Sequence, residues 1–240
     1  MRKVFFTKRA LIGIYFLIFA VSLFLIVKSK YLRKVLFRKD KFEIGDIIRY
    51  FPFSRENSLK EWEEKVLKGR VIYVIEKDQT LSYVRAKSQS AASALYYKVK
   101  LNIDKHPVIY WKWRVDEFPE RSLPERIEDI REEDFAARVY VIFPAPFFTK
   151  SKVIEYIWSE TIPEGTSGVS GYSKNIKILV LEKGEADDWR FEKRNIYEDY
   201  IRLFAERPRL NVGAIAFMTD ADSTNTSADA VYDDIRIGYK

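Results

Sequence analysis

The chain has no cysteine and a single histidine, His106. The first absence excludes a disulfide framework, a zinc–thiolate site and a cysteine nucleophile. The second excludes paired-histidine metal sites and makes a Ser-His-Asp triad a poor fit. His106 stands before Pro107 at the head of an apolar run, the place of a turn residue. No Walker loop, G-x-S-x-G or G-x-G-x-x-G occurs, and no internal repeat is evident. Basic charge is also missing from most of the chain, despite a formal net charge of +7. Residues 1–41 hold 11 Lys/Arg and one acid, Asp40, so the remainder carries 31 basic against 34 acidic residues. A slightly acidic body argues against nucleic acid as a partner.

What is present begins with aromatics: 17 Phe, 15 Tyr and 5 Trp, ample for one large core in 240 residues. Residues 11–27, "LIGIYFLIFAVSLFLIV", carry no charge. As a helix they rise about 26 Å, enough to span a thin bilayer. Arg2, Lys3, Lys8 and Arg9 precede this run. Lys28-Ser29-Lys30 follows in place of a small-x-small cleavage site, so the segment reads as an uncleaved signal-anchor. The lysines and arginines after the span pull towards a cytoplasmic body; the short basic N-terminus reads as an export signal. The expectation adopted is an inner (cytoplasmic) membrane protein with a periplasmic or extracytoplasmic body. Residues 1–27 are then the basic segment and anchor. Residues 28–46 are a basic linker or an interfacial helix on anionic headgroups. Residues 47–240 are the folded domain.

From residue 47 the pattern changes to eleven short β-rich runs: 47–53, 70–76, 81–86, 93–99, 108–115, 136–143, 154–158, 176–181, 189–194, 213–219 and 230–237. They predict an all-β antiparallel sandwich, and no βαβ alternation points to a parallel sheet. One short helix interrupts them. Tyr197, Tyr200, Ile201 and Phe204 make an apolar stripe, Asn195 is the N-cap with Glu198 as its box partner, and Pro208 ends the segment. Two long loops, 116–134 (acidic) and 160–175 (rich in Gly, Ser and Thr), are candidate walls of a groove.

Alternation assigns faces. In 108–115, Ile109, Trp111, Trp113 and Val115 share one face, and Tyr110, Lys112 and Arg114 the other. In 137–143, Val139, Val141 and Phe143 oppose Arg138, Tyr140 and Ile142. If the two strands are neighbours, the second faces combine into an aromatic and cationic surface suited to a sugar. Lys112, Arg114, Arg138, Tyr140 and Trp158 are the predicted ligand-binding residues, against a solvated outer face as the plainer reading. For a glycan-processing enzyme the candidate carboxylates are Asp116, Asp134, Glu155, Asp199 and Asp220.

The segment "TDADSTNT" has the 1, 3, 5 acid spacing of an EF-hand at Asp220, Asp222 and Thr224. Asn225 stands where that loop needs Gly and Val231 where it needs a bidentate Glu, so the EF-hand fails. A structural calcium ion on Asp220, Asp222 and Asp233 is the remaining metal expectation. Its alternative is an Asx-turn that satisfies its own backbone. Asp233 alternates onto the face of Val231, Ile235 and Ile237, a position that a bulge at Asp233-Asp234 would relieve.

In order, "YWKWRV", "EEDFAARVYVIF", "WRFEKRNIYEDYIRLFAERP" and "GAIAFMTDADSTNTSADAVYDDIRIG" resemble the bacterial family called domain of unknown function 3047. The resemblance runs from about residue 47 to the C-terminus. It implies an exported or envelope protein and carries over no activity. The chain departs from the family pattern at Ala205, where Gly is usual, and at Ser223, where Asn is usual. The ending "VYDDIRIG" is similar to the last strand of galactose-binding-like jelly rolls. The reading is a membrane-anchored envelope protein whose jelly-roll β-sandwich has a noncatalytic binding role, with glycan as the expected partner. A glycan-processing enzyme and a structural or protein-interaction domain are the alternatives.

Overall fold

The computed structural model describes residues 46–54, 58–78, 81–185 and 188–239. Ile44–Lys240 forms one compact unit. The expected anchor and basic linker lie outside the described residues. No helix among the described residues is long and apolar enough to cross a membrane.

Thirteen strands follow in chain order: β1 (Ile47–Phe51), β2 (Glu63–Lys68), β3 (Ile72–Lys77), β4 (Ser82–Gln89), β5 (Ala92–Leu101), β6 (Pro107–Glu117), β7 (Ala137–Phe143), β8 (Lys152–Ser159), β9 (Ser167–Val169), β10 (Ile176–Lys183), β11 (Arg190–Asn195), β12 (Val212–Asp220) and β13 (Ser227–Tyr239). All eleven predicted runs are strands. The two additions are β2, whose sequence EEKVLK is charged and largely exposed, and the three-residue β9 inside the Gly/Ser loop.

The strands form two sheets. One has the order β11-β6-β13-β4-β3, with β1 paired to the C-terminal half of β13. The other has the order β2-β5-β12-β7-β8-β10-β9. Among the described residues every pairing is antiparallel but one: β10 runs parallel to β8. In β6 and β7 the inward faces are those that alternation predicts. Trp111 and Trp113 of β6 meet Tyr156 and Trp158 of β8 at centroid distances of 5.4 and 5.8 Å. Phe217 of β12 meets Tyr232 of β13 at 4.8 Å. These contacts join the sheets through one core, and edge and tilted ring packing adds to the burial term.

The last strand changes face partway. The β13–β6 register shifts between Asp233 and Arg236, and Asp234 takes a left-handed φ of 55°. Tyr232 packs in the core before the bulge, and Ile235 and Ile237 pack in it after. Asp233 therefore faces outward opposite Lys112, away from the two isoleucines that simple alternation places beside it.

The one α-helix among the described residues, α1 (Ile196–Phe204), starts as the sequence predicts. Asn195 Oδ1 accepts from the amides of Tyr197 and Glu198, and its Nδ2 donates to Glu198 Oε1 at 2.8 Å. Asp199 in its first turn is buried and accepts from Tyr156 Oη at 2.8 Å and from the Arg194 guanidinium, which pins the helix to β8 and β11. The helix ends on Ala205 at φ 52°. This left-handed position costs a residue with a Cβ about 1 kcal/mol relative to Gly. Ala205→Gly is expected to raise the melting temperature by about 2–4 °C. Thermal unfolding checks this; a fall would show that the Ala205 methyl contributes more by packing than it costs in strain.

Candidate functional site

The outer face of the seven-stranded sheet can be read off its registers. Ala216 of β12 lies opposite Tyr96 on one side and Tyr140 on the other, and Tyr140 lies opposite Glu155. One row across four strands is thus Tyr96, Ala216, Tyr140, Glu155. The next row is Lys65, Ala94, Met218, Arg138. With strands about 4.8 Å apart, the two tyrosines stand roughly 10 Å apart across an alanine floor. The result is a cavity of about 650 Å³, with Leu67, Ile142, Val153 and Ile176 supplying apolar lining.

Both long loops complete this cavity, through Glu133 from the acidic one and Ser170 and Tyr172 from the other. The loops hold each other. Glu133 accepts from Ser170 Oγ at 2.6 Å and from the Gly171 amide at 2.9 Å. Glu125 accepts from the Thr161 amide at 2.9 Å and from Ser159 Oγ. Ile127 and Phe135 pack on Ile157, Ile178 and Val180, a second small core on the outside of the sheet. Glu125, Glu133 and Asp134 of the 116–134 segment are therefore internal acceptors, while Asp116, Glu117, Glu120 and Glu128 are exposed.

Arg138 is the electrostatic centre. It is 3% exposed, and its ring contact is Phe135, 4.9 Å from the guanidinium. Nη1 donates to Tyr140 Oη at 3.2 Å and lies 3.0 Å from Glu155 Oε1; Nε lies 3.1 Å from Asp220 Oδ1. The two carboxylate contacts are within ion-pair distance but outside hydrogen-bond geometry. Among the described residues, Nε and Nη2 of Arg138 and Oε1 of Glu155 have no hydrogen-bond partner. Burial pushes Glu155 up to about 7 against the pull of Arg138, and raises Glu133 and Asp220.

The structure separates the five predicted ligand residues. Arg138 and Tyr140 line the cavity. Lys112 and Arg114 sit on β6, in the other sheet, so the supposed neighbouring of β6 and β7 is corrected: they face away from each other across the core. Both cations are also engaged. Arg114 grips Asp116 through two hydrogen bonds of 2.5 and 3.0 Å, and Lys112 lies 3.3 Å from Asp234 and 3.7 Å from Asp233. Trp158 is fully buried on the inner face and donates Nε1 to the Gly184 carbonyl at 2.8 Å. It supports the sheet and cannot touch a ligand on the outside.

The predicted metal set divides the same way. Asp220 and Asp222 come together with Asp134, their carboxylate oxygens within 4.8 Å of one another. Asp233 belongs to the opposite sheet, where burial pushes it up to about 6. The Asp134 carboxylate is already committed: it accepts from the Ser223 amide at 3.2 Å, the Thr224 amide at 2.7 Å and Thr224 Oγ1 at 2.8 Å. Asp220 accepts from the Phe135 amide at 3.1 Å and borders Arg138; Asp222 lies 3.6 Å from Lys68 Nζ. A calcium ion wants six to eight oxygens. Two protein cations, Arg138 and Lys68, stand among these donors. "TDADSTNT" is thus a turn capped by an acid from 90 residues away. Because Ser223 contributes its backbone amide, losing the Asn usual in the family leaves that bond in place.

Of the five enzyme candidates, Glu155 and Asp220 meet at Arg138 with Asp134 beside Asp220, while Asp116 and Asp199 serve Arg114 and Arg194. Glu133, Tyr96 and Tyr172 were not singled out from the sequence. Period-two alternation does place Tyr96 with Ala94, but nothing local reveals that their face is a floor.

Fold and site together define a two-sheet β-sandwich protein with a loop-walled cavity over a buried charge cluster. The family model described as "Protein of unknown function (DUF3047)" matches residues 60–236, and the chain belongs to that family. No curated protein matches it. Among solved structures it is similar to the family 11 carbohydrate-binding module of the cellulosomal cellulase Lic26A-Cel5E of Clostridium thermocellum. That match has 12% identity and a TM-score of 0.41 over 75% of this chain and 88% of the other. It is similar to the endoglucanase Cel12A from Rhodothermus marinus, with 9% identity and a TM-score of 0.42 over 75% and 96%. A third is the xyloglucanase domain of NopAA from Sinorhizobium fredii, with 10% identity and a TM-score of 0.40 over 75% and 93%. None of these likenesses assigns a ligand or an activity to this chain.

Proposed function

We propose that this is a membrane-anchored envelope protein whose jelly-roll-like sandwich binds a glycan in the cavity on the outer face of the seven-stranded sheet. The observation that carries the reading is the row Tyr96–Ala216–Tyr140–Glu155 beside Arg138. A sugar ring needs an apolar floor, aromatic sides and a few fixed polar groups, and this trough offers all three. Array binding by the full-length protein in detergent tests it. Tyr96→Ala is expected to weaken binding about tenfold or more while leaving the fold intact; silence across the array would reject the reading. The anchor rests on the uncharged run at residues 11–27. A reporter fused to the C-terminus and active only outside the cytoplasm checks the orientation.

A glycan-processing enzyme is the second reading. It is favoured by Glu155, a buried carboxyl held near 7 in the same cavity as Asp220, as general acid chemistry requires. Turnover of a bound glycan that disappears in Glu155→Gln, with binding retained, would select it over pure binding.

A further inference from the structure

The cavity floor is unbalanced in charge. One buried guanidinium, Arg138, faces Glu155 at 3.0 Å and Asp220 at 3.1 Å, and Glu133 lines the same cavity. Glu155 is 2% exposed, Glu133 1% and Asp220 4%. The rim cations Lys65 and Lys68 lie on the exposed β2 side, and Lys68 is engaged with Asp222. Three carboxyl groups thus share one deep cation. The unsatisfied atoms differ in kind: Glu155 Oε1 lacks a donor, and Arg138 Nη2 lacks an acceptor. A ligand that completes the site therefore brings a donor, preferably cationic, next to an acceptor.

We propose, resting on the glycan reading above, that the cavity selects a sugar bearing a free amino group beside a hydroxyl, that is, an amino sugar in its unacetylated, ammonium form. The ammonium donates to Glu155 Oε1 and offsets the excess of carboxylates. The neighbouring hydroxyl oxygen accepts from Arg138 Nη2. The tyrosine-flanked alanine floor takes the ring. A neutral sugar satisfies the guanidinium but leaves the charge imbalance in place, and in a buried site that difference is large. An N-acetylated sugar replaces the ammonium by a neutral amide and loses the same contribution. The elevated position of Glu155 agrees with this, because a proton held on that carboxyl is what an ammonium group displaces.

Calorimetric titration of the protein in detergent, at low salt and near-neutral pH, tests the assignment. The probes are glucosamine oligomers, N-acetylglucosamine oligomers and cello-oligosaccharides of equal length. The glucosamine oligomer is expected to bind about tenfold or more tighter than the other two. Glu155→Gln is expected to abolish the preference, whatever it does to the affinity for each oligomer alone. Equal or tighter binding of the neutral oligomers overturns the amino-sugar assignment and leaves glycan binding standing. A preference that survives in Glu155→Gln overturns the role of that carboxyl. Binding of none of the three overturns this proposal, and the array decides separately whether any glycan binds. Circular dichroism of the variant guards against misfolding. If it fails to fold, Glu133→Gln is the replacement and is expected to reduce the same preference.

Discussion

Arg138→Ala is expected to cost about 3–5 kcal/mol of folding stability. The guanidinium lies buried between Glu155 and Asp220, and truncation leaves both carboxyls without a counter-charge. The loss depends on pH in a defined sense. At low pH the orphaned acids are neutralised by protons, so the variant should lose less stability at pH 5 than at pH 8. Urea unfolding at the two values measures this. A penalty below about 1 kcal/mol at pH 8 would contradict a desolvated charge cluster. Combining Arg138→Met with Glu155→Gln and Asp220→Asn should recover part of the loss, since an apolar and neutral replacement of a buried ion network is tolerated better than half of one. Glu155 has its own pH effect in the native chain. Its folded value of about 7 exceeds the ordinary 4.5, so between these values the folded state keeps a proton that the unfolded state releases. Its contribution to stability therefore falls as pH rises through that window, and Glu155→Gln should remove that slope.

Trp158→Ala is expected to cost a further large amount, about 3–5 kcal/mol, and to do so independently of ligand. The indole is fully buried against Trp113 at 5.8 Å and its N–H is satisfied by Gly184. Truncation leaves a cavity at the centre of the sandwich and an unpaired carbonyl. Trp158→Phe keeps most of the volume and should lose much less. Chemical denaturation of the two variants gives the comparison. Near-native stability in Trp158→Ala, with ligand binding alone reduced, would return this residue to the ligand face. Arg138 and Trp158 lie one strand apart and on opposite sides of one sheet, so their separate effects should nearly add unless the sheet itself distorts.

How much of this was legible in the sequence depends on the range of the interaction. Each β-rich run is a strand, because alternation is local. β2 escaped notice because an exposed edge strand needs no apolar face, and EEKVLK has almost none. Face assignment within a strand also held: Arg138 and Tyr140 point away from Val139 and Val141. What alternation cannot give is which sheet a strand joins, and that separated Lys112 and Arg114 from Arg138. The parallel β8–β10 pair has no local signature either. The bulge that relieves Asp233 is where the sequence suggests it, but nothing local shows that Asp233 belongs to the sheet opposite Asp220. The "TDADSTNT" loop was readable as a turn, but its partner Asp134 lies in another long loop.

That remote partner bears on whether the site can be moved. The cavity draws lining from β2, β5, β7, β8, β10 and β12 and from both long loops. Its rim is fixed by Asp134 reaching Thr224 across 90 residues. No excised hairpin or grafted loop contains even half of these groups in register. The cavity is consequently a property of the whole sandwich, and transplanting it to another scaffold means transplanting the topology.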